Sequence, residues 1–444
     1  VKFGDYSPPP LPSLEQQRGA LQKGLGRALQ WTLSGRLHEE PLLEVCVRDQ
    51  RLDVQVESPR ANWLWQMVRV VGAVDRFRVP ILHALYDLSD DRSAAQLCEL
   101  AYKYAAAGDE TFRTRLFEIV EQKPFPDSPW LGEEEVVSLA GEQGFLFAAR
   151  VRGRLLAGRE WEWDDGHLID LATKRLGAEF VNRLLDGSSD DAVRRFRDGW
   201  RQEVQKTAAR ESSPTHRERM VVTPVHDIFR AAEGVSKCFW FRGWGMHADE
   251  ADLRAVLQRL RVENEPRVIA NLARVFSARP LPEFDARLIE LCRHGDEDVR
   301  TRAFAALEPN AHPLVREFAL TELEKGVRSG SVVALFINNY RPGDEDRILE
   351  AMELPDDECR LHWLLMDVIK VLEKNPEADC SRLGVIGYAL TNCENCRFHA
   401  VRLLLSRRAA PGWLADECRY DSGEDCRELV GFPMVATEAS SASP

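Results

Sequence analysis

The sequence predicts an all-α chain built from stacked antiparallel helix pairs, and three observations carry that prediction. Apolar residues recur at helical spacing almost without interruption from Leu14 onward. Strand signals are nearly absent: there is no Asn-Gly hairpin turn and no sustained two-residue alternation. In the second half a short pattern recurs (a small apolar residue, Arg, two variable residues, then usually Ala) at spacings that suit a repeating unit.

Residues 1–12 include three consecutive prolines and read as a Pro-rich arm that cannot start a helix. Residues 13–205 read as an N-terminal helical-repeat region. Leu21, Leu25, Ala28, Leu29 and Trp31 mark the first apolar stripe, and further helices are expected at 41–49, 53–72, 79–88, 92–107 and 109–122. Ser89-Asp90-Asp91 and Gly108-Asp109-Glu110 supply C′ and N-cap residue types at the breaks. A Pro-rich connector at 123–131 precedes helices at 132–158, 165–185 and 190–206. Residues 206–224 are polar with two prolines and read as a linker. A C-terminal set of helical repeats is expected over 225–432, and the small polar segment 433–444 reads as a disordered tail.

The recurring pattern centres on Arg267, Arg300, Arg360, Arg397 and Arg427, spaced 33, 60, 37 and 30 residues apart. The gap of 60 reads as two units with a degenerate copy near Val332-Val333-Ala334, and Val315-Arg316 reads as the partner helix within one unit. The residue before each Arg and the residue three after it are four apart, so they share a helix face. Small side chains there allow close helix approach. Acidic residues before the Arg, as at Glu297-Asp298, Asp357-Glu358 and Glu424-Asp425, suit helix N-termini. One pair cannot bury its apolar face alone, whereas stacked pairs can, which makes the fold an α-solenoid.

The stretch Asp298-Val299-Arg300-Thr301-Arg302-Ala303-Phe304, with counterparts at 395–401 and 425–430, resembles the HEAT-repeat family, particularly its short bacterial HEAT-like members. Residues 338–344 are similar to the inter-helix region of such proteins, and the resemblance extends over about residues 245–432. It implies a solenoid used for protein–protein contact and brings no catalytic residues with it.

Composition narrows the function classes. The 444 residues carry 59 basic and 72 acidic side chains, a net charge of −13, which weighs against broad nucleic-acid binding. Arg dominates Lys along the whole length, which reads as composition and not as a phosphate-binding face. No apolar run approaches the roughly 18 residues of a membrane span. Ten cysteines in so long a chain do not form a disulfide framework, and no apolar leader opens the sequence, so a cytoplasmic location is expected. The expected partner is a protein or peptide, with no membrane association.

Candidate chemistry is sparse, and no catalytic, cofactor-binding or metal-ligating set is assigned. Cys393-Glu394-Asn395-Cys396 is the one CxxC and could form half of a zinc site, with Cys380, Cys418 or Cys426 as partners, or a redox pair. Cys396, however, holds the repeat position of Val299 and Cys359, where a buried Cys acts as a small apolar residue. Trp161, Trp163, Trp240 and Trp244 are weak binding candidates. An exposed Trp beside a carboxylate would suit a nucleic-acid binder or a DNA glycosylase-type enzyme, the alternative to a non-catalytic scaffold. Fold analogy alone adds assistance in cofactor attachment, as in HEAT-like phycobilin lyases. His226-Asp227 is not expected to face as a pair, and His362 and His399 are equivalent repeat positions.

Overall fold

The computed structural model describes residues 6–53, 57–158, 166–211 and 222–431. Among them every regular element is a helix, apart from one isolated bridge between Val327 and Met352. No described helix is long and apolar enough to cross a membrane. The chain divides into two compact units, one built mainly of Pro9–Ser213 and the other mainly of Pro214–Arg419 with the segment from Gly423.

The first unit contains α1 (Leu14–Lys23), α2 (Gly26–Leu33), α3 (Glu39–Val47), α4 (Ala61–Val70), α5 (Val74–Tyr86), α6 (Asp91–Ala106), α7 (Glu110–Gln122), α8 (Glu133–Gly158), α9 (His167–Leu176), α10 (Ala178–Gly187) and α11 (Asp191–Glu211). Local chemistry sets the starts. Ser13 and Gln16 form a reciprocal capping box on α1, and Asp90 and Asp109 cap α6 and α7 through the N–H groups of Ser93 and Thr111. Trp63, Phe77, Ile81, Leu85, Phe112 and Phe145 are buried in its core.

Several boundaries differ from the sequence expectation: the helix expected over 165–185 is two helices separated by Gly177, and the one expected over 190–206 runs to Glu211, into the segment expected to be a linker. The helix expected over 53–72 begins only at Ala61. The helix expected from residue 79 begins at Val74 and runs through Pro80, because Phe77, Ile81 and Leu85 form one buried stripe across the proline. Burial on both sides outweighs the lost backbone hydrogen bond. The helix expected over 132–158 is kinked at Gly141, whose φ of 54° and ψ of −122° leave the helical region. Beyond the kink Gly144 lies so close to Val136 that a Cβ would meet the Val136 carbonyl oxygen at 2.2 Å.

The second unit contains α12 (Val225–Glu233), α13 (Phe241–His247), α14 (Glu250–Val262), α15 (Pro266–Arg274), α16 (Arg287–Leu291), α17 (Glu297–Leu307), α18 (Pro313–Leu323), α19 (Gly330–Ala334), α20 (Asp344–Ala351), α21 (Glu358–Lys374), α22 (Ser381–Leu390), α23 (Glu394–Ser406), α24 (Leu414–Cys418) and α25 (Glu424–Glu428). Its order is simple. The odd-numbered helices from α13 to α25 form one row in which each touches the next, and α14, α16, α18 and α22 each pack on the row helix that follows. The buried side chains of the row, such as Val299, Ala303, Leu365, Val368, Ile369, Ala400 and Leu404, fill the space between neighbours.

Arg267, Arg300, Arg360, Arg397 and Arg427 all lie in the first turn of a row helix, on α15, α17, α21, α23 and α25. Helix α19, at Val332-Val333-Ala334, occupies the 60-residue gap, and Arg316 lies on its partner α18. The environments are not uniform. Arg267 and Arg360 are exposed, whereas Arg397 and Arg427 are buried. Arg267 reaches the Glu233 carbonyl and Arg300 the carbonyls of His294 and Gly295. Arg316 grips Asp344 at the start of α20 with bonds of 2.5 and 2.9 Å.

Four asparagines, Asn271, Asn310 and Asn339 buried and Asn375 half-buried, supply a second recurring device. Asn271 accepts from the Cys238 N–H and donates to the carbonyls of Ala232 and Ser236. Asn310 accepts from Leu281 and donates to Ala306 and Leu307. Asn339 accepts from His312 and donates to Asn310 and Leu335, and Asn375 donates to Ile337 and Val371. Each thus binds backbone 27–39 residues earlier in the chain. Backbone groups that turn away from helices need such partners when buried.

Candidate metal-ligand cluster

The first turn of α23 positions two thiols. Cys393 is its N-cap, with extended φ and ψ of −79° and 122°, and Cys396 stands three residues on, so both side chains lie at the same helix end. Asp357 caps α21 through the Arg360 N–H, which fixes the first turn of that helix, and the next turn carries His362. Because α21 and α23 are neighbours in the row, His362 comes against the two cysteines. One ligand atom from each of His362, Cys393 and Cys396 lies within 4.8 Å of the others, and Cys396 Sγ is 3.8 Å from His362 Nδ1. Both cysteines are buried and His362 is half-buried.

The electrostatics separate the two thiols. Interaction with the Cys396 thiol, aided by His362, holds the Cys393 thiol below the ordinary thiol range despite burial. The same interaction, followed by burial, raises Cys396. The positive end of α23 also favours a thiolate at its N-cap. Around the two thiols, Lys370 pairs with Asp367 at 2.9 Å, while His399 and Arg402 both reach Glu373 Oε1 at 2.8 Å.

The sequence candidates fall in different places. Trp161 and Trp163 lie outside the described residues. Trp244 is buried and donates its indole N–H to the Thr223 carbonyl at 2.8 Å, so it offers no open stacking face. Trp240 is half-buried and packs edge-on against Phe241. His226 Nε2 lies 3.4 Å from Asp227 Oδ1, so these sequence neighbours do meet, contrary to expectation, as exposed groups in the first turn of α12. Of the cysteines offered as partners for the CxxC, none enters the cluster, and His362 does. The signal for His362 lay in the repeat alignment: Cys359-Arg360-Leu361-His362 matches Cys396-Arg397-Phe398-His399, and stacking moves the end of one copy beside the start of the next.

Comparison with protein-family models, curated proteins and solved structures gives no match for this chain.

Proposed function

We propose that the second unit is an α-solenoid of short HEAT-like repeats and that the chain works as a non-catalytic scaffold for a protein or peptide partner in the cytoplasm. The observation that carries this reading is the unbroken row from α13 to α25, with backbone stitched from repeat to repeat by Asn271, Asn310, Asn339 and Asn375. In such an arrangement each repeat buries its apolar side against its neighbours and leaves a continuous polar side for a partner. Along α21 that side presents Cys359, Trp363 and Lys374 as exposed groups, with Lys370 half-buried between them. Ten free thiols suit a reducing compartment.

The test is cross-linked purification of the full chain from its native host. A single protein recovered in stoichiometric amount supports the reading when Trp363→Ala with Lys374→Glu lowers its recovery more than about tenfold, or ~1.4 kcal/mol, without shifting the unfolding midpoint. Recovery of nucleic acid alone, or of no stoichiometric species, refutes it.

A further inference from the structure

We propose that His362, Cys393 and Cys396 bind one soft divalent metal ion of the zinc class and that the ion ties neighbouring repeats together. Three features support this site beyond the CxxC itself. The third group arrives from a separate helix, α21, so the cluster joins two elements of the row. An imidazole also stands in contact with the buried second thiol, Cys396 Sγ lying 3.8 Å from His362 Nδ1. Finally, the donor set matches the ion. Two thiolates and one imidazole are ligands that select zinc over hard cations.

The geometry is close to what binding needs. Zinc–sulfur and zinc–nitrogen bonds of about 2.3 and 2.0–2.1 Å place tetrahedral ligand atoms about 3.5–3.8 Å apart. The Cys396–His362 separation already has that value, and since all three ligand atoms lie within 4.8 Å of one another, movements of no more than about 1 Å close the site. Binding releases the protons that the two thiols carry to solvent and leaves His362 neutral at its ligating nitrogen. Three protein ligands leave one position of a tetrahedral ion to solvent.

The experiment uses the full chain carrying Cys359→Ser, which removes the exposed thiol near His362. Reduced protein is loaded with Co²⁺ and with Zn²⁺ and dialysed against a weak chelator. One metal per chain is expected, with a thiolate-to-cobalt charge-transfer band and a zinc X-ray absorption shell of two sulfurs and at least one nitrogen. His362→Ala, at a half-buried position, is expected to weaken binding more than about tenfold, since losing even an outer partner of a ligand costs 10–100-fold. Failure to retain metal overturns the proposal. So do an absorption shell without sulfur, binding unchanged in His362→Ala, and a Cys393–Cys396 disulfide that forms in preference to the zinc complex.

Discussion

Replacing Asn339 tests whether the repeats are held together by buried side-chain bonds to backbone. Its amide accepts from the His312 N–H at 2.9 Å and donates to the carbonyls of Asn310 and Leu335, each at 2.9 Å. The side chain is only 9% exposed, so water does not easily replace what is lost. At about 1 kcal/mol net per bond, with a further cost for any donor left buried without a partner, Asn339→Ala loses about 2–4 kcal/mol. Asn339→Asp discriminates further. Its carboxylate still accepts from His312 but cannot donate, and it faces two carbonyl oxygens. The aspartate is therefore held above its ordinary value in the folded chain. Its protonated form is present in both states below that ordinary value, and stability is lost as pH rises through the raised one. Asn339→Asp is thus less stable than Asn339→Ala at neutral pH and recovers on acidification. Urea unfolding of the full chain followed by far-UV circular dichroism reads both variants. A loss below about 0.5 kcal/mol for Asn339→Ala, or no pH dependence separating the Asp variant from the parent, refutes the reasoning.

Three other perturbations have expected outcomes. Glu133 is fully buried and binds Lys123 at 2.6 Å and Arg152 at 2.8 and 2.9 Å; Glu133→Ala removes the carboxylate two buried cations share, and thermal unfolding is expected to show a loss of about 3–5 kcal/mol. A Cβ at Gly330 would lie 2.3 Å from Asp367 Oδ2 and 2.7 Å from the Trp363 carbonyl oxygen, so Gly330→Ala must push α19 off α21 and lose about 1–3 kcal/mol by urea titration. Burial first, then the neighbouring acidic groups against Arg51, Lys103 and Arg175, pushes Glu99 up to about 7 and Glu135 up to about 8. The stabilising contribution of protonated Glu99 and Glu135 is complete below the ordinary glutamate value and is lost as pH rises through about 7 to 8, so the unfolding midpoint falls across that window and Glu135→Gln flattens the fall; an unchanged slope in the variant contradicts the assignment.

Much of the helical layout was legible because its signals are local. Asp90 and Asp109 announced caps, the degenerate copy near Val332 fell on a row helix, and the five repeat arginines fell in first turns. What escaped depends on the third dimension. Pro80 reads as a helix start until Phe77 is known to share a buried stripe with Ile81 and Leu85. Arg397 holds the same place in the pattern as the exposed Arg267 and Arg360, yet it is fully buried. The asparagines carry no periodic apolar mark, and their partners are backbone groups that composition cannot reveal. His362 meets Cys396 only once repeats stack, because 34 residues separate them in the chain.

Hydrogen exchange of the full chain, compared between the parent and Asn310→Ala, bears most directly on nearest-neighbour stacking. The account predicts that protection drops most in α16 to α19, beside the lost bonds to Leu281, Ala306 and Leu307, and fades along the row toward α23. An equal loss of protection from α13 to α25 would contradict it, since that is how one indivisible core responds.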